Sequence, residues 1–583
     1  MPTLEWIGKD KVINHHLDVP YRVLERKYSY DEGGQHEEDN GSENMIIHGD
    51  NLDALKSLLP QYEGRVKCIY IDPPYNTGNE GWVYNDNVND PRIKKWLGEV
   101  VGKEGEDLSR HDKWLCMMYP RLKLLQRLLS DDGVIFISID DTEYANLKCI
   151  CDEIFGSNCF VSNISWQRTY STRNDSKGIV NEVEHVLCYS KIPNWQPQKL
   201  PRTAEMNAKY GNPDNDVAMW RPDNAYAPGA ATHQGMVYAI QHPFTGEMLY
   251  PSNGRCWTFG QEQMLEIMCG WCPYELKELD DAEQRAHLCG VSKDEIREGV
   301  KAIVLAQSVE ESSRLAQIVY DKGPWPRFFF SKGGRGGIAR KTYLDNVGGK
   351  LPTNFWPFTH AGHTDEAKKE MLAIFDGRAT FDTPKPERLI EYVLKIAGSK
   401  DAIVLDTFAG SGTTAHAVLK ANKEDGGNRK FILVEMMDYA DSITAERVKR
   451  VIQGYGTGKQ AVAGTGGSFG YYELGEPLMI GENLNEAVGV DKIREYVFFT
   501  ETKCRLPEVR EDEPYYLGEH ANNAYYFYYE KDAVTTLNRD FLRTVKTEAD
   551  GYVIYADLCT LSEEERERHH ITFKMIPRDI TKL

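Results

Sequence analysis

The stretch Cys68-Ile69-Tyr70-Ile71-Asp72-Pro73-Pro74-Tyr75 constrains the fold more than any other part of the sequence. Its first four residues are apolar and β-prone, which predicts a buried strand of a parallel sheet. Pro73 and Pro74 cannot continue a hydrogen-bonded ladder, so the backbone must leave the sheet directly after Asp72. We therefore expect Asp72 at the carboxyl edge of an α/β sheet, where such sheets bind their ligands.

Asp72, the two prolines and Tyr75 together suit a planar ligand that carries an NH2 group. Asp72 and the Pro73 carbonyl are hydrogen-bond acceptors, and Tyr75 offers a flat face for stacking. An exocyclic base amine is a poor nucleophile, and accepting its hydrogens returns electron density to the nitrogen. A duplex hides its bases, so the target nucleotide would have to be flipped out. The alternative is that these residues form only a rigid turn after a strand.

A second motif lies far downstream, where a buried strand at 403–405 runs into Asp406-Thr407-Phe408-Ala409-Gly410-Ser411-Gly412-Thr413-Thr414. Its Gly-x-Gly lets the backbone lie against a ligand at a helix N-terminus. The next strand, at 430–434, ends at Glu435, whose carboxylate could accept the two hydroxyls of a ribose. Ala415 stands where a dinucleotide loop has its third glycine, which favours a nucleoside without a pyrophosphate, such as S-adenosylmethionine.

Alternating strand-like and helix-like segments occupy two separate parts of the chain and imply a parallel, doubly wound α/β sheet. Between them the periodicity fails, and Pro, Asn, Gly and aromatic residues dominate, which indicates an inserted domain. We predict an N-terminal arm with an acidic loop at 1–44, the catalytic half of the α/β domain at 45–190, an inserted domain at 191–375, the cofactor-binding half at 376–473 and a small α+β appendage at 474–583.

Two local signals predict element boundaries in these halves. Asp131-Asp132-Gly133 predicts the end of a helix, followed by a strand at 134–139. Asp382-Thr383-Pro384 predicts a helix start with proline in the first turn. The strand that carries the second motif would follow this helix.

Length and charge limit the classes of protein to consider. With 583 residues the chain is too long for one simple core, so we expect two or three domains. No apolar run reaches the ~18 residues of a membrane span, and residues 1–10 lack the pattern of a signal peptide, so we expect a cytoplasmic protein without membrane contact. A net charge of -20 argues against a nucleic-acid partner unless the basic residues cluster locally.

One stretch, 328–341, is strongly basic and rich in glycine. It carries four positive charges and no negative ones, at Lys332, Arg335, Arg340 and Lys341. Glycines allow close approach of the backbone, so the stretch is typical of a segment that follows phosphates. An ordinary solvated loop is the alternative.

The twelve cysteines do not suggest a disulfide framework, because most stand in apolar runs typical of reduced core thiols. Four potential zinc ligands do occur close together in the sequence, at Cys269, Cys272, His287 and Cys289. Their spacing is not a familiar one, so we expect no metal site and keep structural zinc as an open alternative.

The two motifs and their order along the chain resemble the β-class amino-methyltransferases of DNA, and more narrowly the modification subunits of type III restriction systems. In that family the catalytic motif precedes the cofactor motif, and a target-recognition domain lies between them. The resemblance covers most of 45–475. The matching stretches are 49–52, 72–78, 117–122, 135–141, 385–386, 408–412 and 445–448.

The resemblance implies a role for each motif residue. Asp72, Pro73 and Tyr75 would hold a flipped adenine, with Pro74 shaping the turn. The fold would be a Rossmann-like, S-adenosylmethionine-dependent methyltransferase sheet in which the inserted domain recognises the target, with the basic stretch near phosphates. S-adenosylmethionine would be held by Asp50, Lys385, Pro386, Asp406, Phe408, Gly410, Gly412, Thr413 and Glu435.

The resemblance also implies partners, namely double-stranded DNA, a second copy of the chain and a helicase-nuclease subunit of a restriction system. Three other functions stay open: methylation of the cytosine N4 amine, methylation of RNA or of a protein amide, and DNA binding as a specificity subunit for a partner nuclease. An aspartate before Pro-Pro-Tyr favours adenine, the long inserted domain favours duplex DNA, and the intact Asp72, Tyr75 and Glu435 favour an enzyme.

Overall fold

A computed structural model describes residues 3–77, 95, 110–170, 179–508 and 510–578. The chain divides into two compact units. The first combines Met1–Gln198 with Pro352–Leu583, and the second is Lys199–Leu351. The second unit falls inside the inserted domain predicted at 191–375. Gly78, the last residue of the first motif, lies outside the described residues.

The first unit contains a sheet of eleven strands. In chain order they are β1 (Arg22–Asp31), β2 (Gly34–His36), β3 (Met45–His48), β4 (Val66–Ile71), β5 (Leu129–Ile139), β6 (Phe160–Gln167), β7 (Val183–Ser190), β8 (Phe355–Trp356), β9 (Ile403–Asp406), β10 (Lys430–Glu435) and β11 (Phe469–Pro477). Across the sheet their order is β8-β6-β7-β5-β4-β9-β10-β3-β11-β1-β2.

The directions of these strands place the functional edge. The central strands β5, β4, β9, β10, β3 and β11 are parallel, as predicted. The flanks differ from the prediction, because β7 runs antiparallel to β5 and β6, and β1 runs antiparallel to β11 and β2. The carboxyl ends of β4, β9, β10 and β3 therefore meet at one edge, and β7 brings its amino end to that same edge.

Helices flank this sheet and confirm the doubly wound α/β class. The α-helices described in the first unit are α1 (Lys9–Val12), α2 (His15–Asp18), α3 (Asn51–Tyr62), α4 (Arg110–Leu128), α5 (Tyr144–Phe155), α6 (Phe358–Ala361), α7 (Thr364–Ile374), α8 (Glu387–Ala397), α9 (Thr413–Asp425), α10 (Glu446–Gln453), α11 (Val490–Thr502), α12 (Arg539–Leu542) and α13 (Glu563–Arg568). Apolar residues of α3, α4 and α5 pack against alternate residues of the central strands, such as Ile69 and Ile71. The helix α8 packs on β4 and against α9.

Two predicted boundaries are wrong. The helix α8 begins at Glu387 rather than near Asp382. Thr383 and Lys385 each precede a proline, and a residue in that position disfavours helical backbone angles. The strand β5 begins at Leu129, directly after α4, and continues through the expected turn. At Gly133 a Cβ atom would lie 2.9 Å from the Val66 carbonyl oxygen, so glycine is what lets β5 approach β4 here.

The second unit is built around a core rich in tryptophan, which includes Trp220, Trp257 and Trp271. Its strands are Trp220–Asn224, Tyr226–Pro228, Ile240–Gln241, Met248–Leu249, Arg255–Trp257, Tyr274–Lys277, Ala302–Leu305, Phe328–Phe330 and Ile338–Tyr343. Its helices are Ala204–Asn207, Gln261–Met268, Ala282–Cys289 and Val309–Lys322.

The four potential zinc ligands are dispersed in this unit. Cys272 packs in the tryptophan-rich core, whereas Cys289 packs in a separate apolar cluster with Cys256. Among the residues that the structure describes, no group of His, Cys, Asp or Glu side chains is arranged to hold a metal ion.

The last part of the chain is the α+β appendage that the fold class includes. Its four-stranded sheet consists of Tyr516–His520, Asn523–Phe527, Gly551–Ala556 and Ile571–Met575. The strand β11 extends across the boundary predicted at 474, and β1 lies within the predicted N-terminal arm. None of the described helices is both long and apolar enough to span a membrane.

Candidate active site

The two sequence motifs meet because β4 and β9 are neighbours in the sheet. Their parallel register pairs Val404 with Cys68 and Leu405 with Ile69, so Asp406 and Asp72 emerge at the same edge. A cavity lies there and is lined from both motifs. Of the residues predicted for the site, Asp72, Lys385, Asp406, Phe408, Gly410 and Thr413 line this cavity.

Asp72 forms a buried ion pair with Lys385 in this cavity. The Lys385 Nζ donates to both carboxylate oxygens of Asp72 at 2.9 Å. Both side chains are 9% exposed. Lys385 stands in the turn before α8, and its side chain therefore reaches the catalytic motif as well as the cofactor cavity.

Tyr75 and a second carboxylate, Glu184, complete this buried group. The Tyr75 hydroxyl lies 2.7 Å from Asp72 Oδ1 and 2.5 Å from Glu184 Oε1, and it accepts a hydrogen bond from Lys385 Nζ at 2.7 Å. Glu184 Oε1 is 3.1 Å from the same ammonium. One ammonium and one hydroxyl thus connect two carboxylates.

The residues around the prolines fix the shape of the turn. Trp114 Nε1 donates to the Pro74 carbonyl oxygen at 2.6 Å, so this carbonyl has an internal partner. Asn76 has a left-handed φ of 58°. Its Nδ2 atom donates to Glu143 Oε1 at 2.5 Å, which fixes this unusual backbone conformation from the side-chain end.

Burial shifts the protonation equilibria of this group. Burial raises the pKa of the Asp72 carboxyl, and the Lys385 ammonium opposes that rise. Burial by itself would lower the pKa of Lys385, but Asp72 and Glu184 outweigh it, so the pKa lies above the ordinary value for lysine. Burial and the two carboxylates raise the pKa of Tyr75 well above its ordinary value. Lys385 is therefore positively charged and Tyr75 is protonated at neutral pH.

The glycine loop after β9 has the tight backbone that its sequence predicts. Gly412 has a φ of +80°, and a Cβ atom there would lie 2.9 Å from the Thr444 carbonyl oxygen. The Gly410 amide donates to Glu435 Oε2 at 2.8 Å, and the Met437 amide donates to Glu435 Oε1 at 3.0 Å. Glu435 therefore holds the loop in place.

Asp406 is a buried carboxylate at the entrance of this loop. It accepts hydrogen bonds from the Thr414 hydroxyl at 2.6 Å and from the Phe408 amide at 3.0 Å. Burial raises the pKa of Asp406 to about 7, although these two bonds oppose the rise. The carboxyl is thus poised between its two protonation states near neutral pH.

Arg447 is fully buried and contacts the glycine loop through its guanidinium group. Its Nη1 donates to the hydroxyls of Ser411 at 3.0 Å and Thr413 at 2.8 Å. Its Nη2 donates to Glu370 Oε2 at 2.8 Å. The guanidinium therefore joins the loop to α7 and α10.

Four predicted cofactor residues lie outside the cavity lining: Gly412 and Glu435, described above, and Asp50 and Pro386, which stand at the start of helices. Asp50 caps α3, accepting from the Leu52 amide at 2.8 Å, and lies 3.3 Å from Arg121 Nη2. It follows β3, whose last residue His48 is paired with Glu435, so Asp50 belongs to the same edge of the sheet. Pro386 is the N-cap of α8.

The basic stretch divides into exposed and buried charges. Lys332 and Arg335 are exposed in the loop between Phe328–Phe330 and Ile338–Tyr343. Arg340 is 28% exposed and lies 3.6 Å from Asp223. Lys341, in contrast, is fully buried and paired with Asp214 and Asp216. Its charge is neutralised inside the unit, so it is unsuited to contact phosphates directly.

Comparison with known proteins places the chain in a family. The family model described as "DNA methylase" matches residues 66–447, which include both motifs. The chain belongs to the DNA methylase family. Its resemblance to type III modification subunits is confirmed by the StyLTI Mod subunit of a type III restriction-modification enzyme from Salmonella typhimurium, 33% identical over 444 residues that cover 71% of this chain and 58% of that protein.

Two further relatives are less similar to this chain in sequence identity. The EcoPI Mod subunit of a type III enzyme from Escherichia phage P1 is 28% identical, over 74% of this chain and 63% of its own length. The type II methyltransferase M.KpnI from Klebsiella pneumoniae is 28% identical, over 68% of this chain and 81% of its own length. The chain thus spans about 60% of the length of the type III relatives named here.

Two members of the site, Glu184 and Arg447, were not predicted from the sequence. Glu184 opens β7, and a strand assumed to be parallel would have carried it to the opposite edge. Because β7 is antiparallel, Glu184 lies beside Asp72. Arg447 lay within a matching stretch, but nothing in its local sequence indicates that it reaches back to Ser411 and Thr413.

The residues of the cavity fit a positively charged nucleoside. Four buried acidic side chains, Asp72, Glu184, Asp406 and Glu435, lie at this edge of the sheet or hold its loop, and the buried cations described beside them are Lys385 and Arg447. At Gly412 the lack of a Cβ atom lets the loop pack closely against the Thr444 carbonyl.

Proposed function

We propose that this DNA methylase transfers a methyl group from S-adenosylmethionine to the N6 amine of a flipped adenine in double-stranded DNA. One observation carries the proposal: Asp72 of the first motif and Gly410 of the second line the same cavity. A group held by one motif is therefore within reach of a group held by the other, and proximity of this kind supplies much of the rate of a transfer reaction.

The cofactor half would bind the donor. When bound, S-adenosylmethionine supplies a methyl group on a positively charged sulfur. The Glu435 carboxylate, at the end of β10, would accept the ribose hydroxyls, and Asp406 would face the positive part of the molecule. Phe408, Gly410 and Thr413 would line its cavity, while Asp50, Gly412 and Pro386 would shape the surrounding turns.

The catalytic half would bind and polarise the base. Asp72 and the Pro73 carbonyl would accept the two amine hydrogens, which localises the nitrogen lone pair. Tyr75 would hold the purine ring by stacking, and Pro74 would fix the turn through its bond to Trp114. Once the amine has gained a methyl group, one of its protons must leave, and Asp72 is the carboxylate placed to accept it.

The inserted domain, predicted at 191–375, would recognise the DNA sequence. Lys332 and Arg335 are its candidates for phosphate contacts, because both are exposed, and Arg340 would assist them. The paired, buried Lys341 would stabilise the domain. Local positive charge of this kind would offset a net charge of -20 at the DNA surface.

The relatives' names support a place in a restriction-modification system. Two of the relatives described above are named Mod subunits of type III enzymes, which favours a modification subunit that works with a helicase-nuclease subunit. A homodimer in the cytoplasm is the state we propose for the modification subunit itself.

A transfer assay with tritiated donor tests the proposal. The chain should label duplex plasmid DNA, and it should leave RNA and protein unlabelled. Asp72→Ala should abolish labelling while DNA binding persists, because the carboxylate polarises the amine and does not position the duplex. Equal loss of labelling and DNA binding would show that Asp72 is a structural residue, and labelling of RNA alone would overturn the substrate class.

A further inference from the structure

The Lys385 ammonium lies where the substrate amine is proposed to bind. Its Nζ is 2.9 Å from both oxygens of Asp72 and 2.7 Å from the Tyr75 hydroxyl. It is also 5.0 Å from the centroid of the Tyr75 ring, beside the surface on which the base would stack. Two nitrogen donors cannot share one position, so the ammonium and the amine must compete for Asp72.

Glu184 offers the ammonium a second carboxylate within the same site. Its Oε1 is 3.1 Å from Lys385 Nζ, and its side chain is only 4% exposed. Its Oε2 lies 3.5 Å from Arg168, which is 38% exposed and contacts Glu184 from the solvent side. A small movement of the lysine side chain would therefore exchange one buried carboxylate for another without exposing its charge.

We propose that the base amine displaces the Lys385 ammonium from Asp72, and that Glu184 then retains the ammonium inside the site. Glu184 is on this view a positioning residue that acts through Lys385. The inference rests on the proposed function, because it requires a base amine that binds Asp72. It also gives a role to a carboxylate that stands outside both motifs.

Charge balance supports this exchange. Asp72 and Glu184 share the Tyr75 hydroxyl, and Lys385 lies between them. If the ammonium left the site altogether, two buried carboxylates would face each other without a cation, and an uncompensated buried charge is strongly unfavourable. If Glu184 were neutral, the ammonium would have Asp72 as its one charged partner among these groups, and the amine would displace it less readily.

The experiment measures single-turnover methyl transfer to plasmid DNA by the wild-type chain and by the single variants Glu184→Gln, Glu184→Asp and Lys385→Met. Each Glu184 substitution is also combined with Lys385→Met. In Glu184→Gln the transfer rate should fall by about tenfold or more, while the dissociation constants for DNA and for donor stay within about twofold. Glu184→Asp should recover part of the rate, because it keeps the charge.

The Lys385→Met background separates a positioning role from a structural one. With the ammonium gone, Glu184→Gln and Glu184→Asp should cause no further loss, and Lys385→Met itself should retain measurable transfer because Asp72 and Tyr75 still bind the amine. Additive losses would overturn the proposal, as would a folded Lys385→Met chain that transfers nothing. If Glu184→Gln does not fold, the comparison of Glu184→Asp in the two backgrounds decides alone.

Failure of the proposed function gives a different result. A wild-type chain that labels no DNA would refute the methyltransferase reading, whereas normal labelling by both the wild-type chain and Glu184→Gln would refute the exchange and leave the methyltransferase reading intact.

Discussion

Lys385 Nζ and the carboxylate of Asp72 are joined by two hydrogen bonds of 2.9 Å, although the two residues stand 313 positions apart in the chain. This contact connects the turn before α8 with the end of β4. It depends on the parallel pairing of β4 and β9, which brings the catalytic and cofactor halves to one edge. The chemistry we propose requires that edge.

Glu435→Ala should weaken donor binding. The substitution removes the acceptor of the Gly410 and Met437 amides and the proposed acceptor of the ribose hydroxyls. Hydrogen bonds to a charged group contribute about 1.5 to 3 kcal/mol, so the Kd for S-adenosylmethionine should rise by roughly ten- to a hundredfold. Calorimetry measures it, with Glu473→Ala as the control, since Glu473 is 44% exposed. An unchanged Kd would refute the ribose role.

Arg447→Met should destabilise the first unit through its glycine loop. The guanidinium is fully buried, whereas its partner Glu370 is 20% exposed, so the cost of breaking the pair should be near the lower end of the buried range, about 3 kcal/mol. Chemical denaturation should show this loss. Arg450→Met is the matched control on α10, because Arg450 is 25% exposed, and it should cost less than about 1 kcal/mol. Equal losses would contradict the assigned contacts.

Asp406 should make the stability of the chain depend on pH. Its pKa is about 7 in the folded chain against an ordinary value of 3.8, so between these values the folded chain holds a proton that the unfolded chain has released. Stability must therefore fall as pH rises through this window, by on the order of 3 kcal/mol from this group. The drop in free energy of unfolding between pH 5 and 8 should be smaller in Asp406→Asn. An identical drop in both proteins would be evidence against the raised pKa.

Removal of the exposed charges of the basic stretch should weaken DNA binding. In the double variant Lys332→Ala/Arg335→Ala, the slope of log affinity against log salt should fall by about 2, because each phosphate contact contributes about 1. Arg314→Ala is the control, since Arg314 is 62% exposed on a helix of the same unit and paired with Glu311. If the control lowers the slope equally, the effect reflects overall charge rather than this loop.

The sequence predicted the centre of the site because local pattern determines it. A strand that ends in Asp72-Pro73-Pro74 and another that ends in Asp406 must both leave the sheet at their carboxyl ends, and neighbouring parallel strands share that edge. The same logic located Glu435 at the end of β10. These positions depend only on element type and chain direction, which motifs of a few residues can specify.

Residues whose role depends on distant partners could not be predicted in this way. Glu184 belongs to the site only because β7 is antiparallel, and strand direction is not visible in an alternating apolar pattern. Lys341 was grouped with exposed charges because its partner Asp214 lies 127 positions away. The helix α8 begins several residues later than predicted, directly after Pro386. The capping pattern does not take into account that proline restricts the backbone of the residue before it.

Identification of the methylated nucleoside tests the central claim most directly. Duplex DNA incubated with the chain and S-adenosylmethionine is digested to nucleosides and analysed by mass spectrometry, with Asp72→Ala in parallel. We expect N6-methyldeoxyadenosine with the wild-type chain and none with the variant. A methyl group on the cytosine N4 amine, or no methylated nucleoside at all, would contradict it.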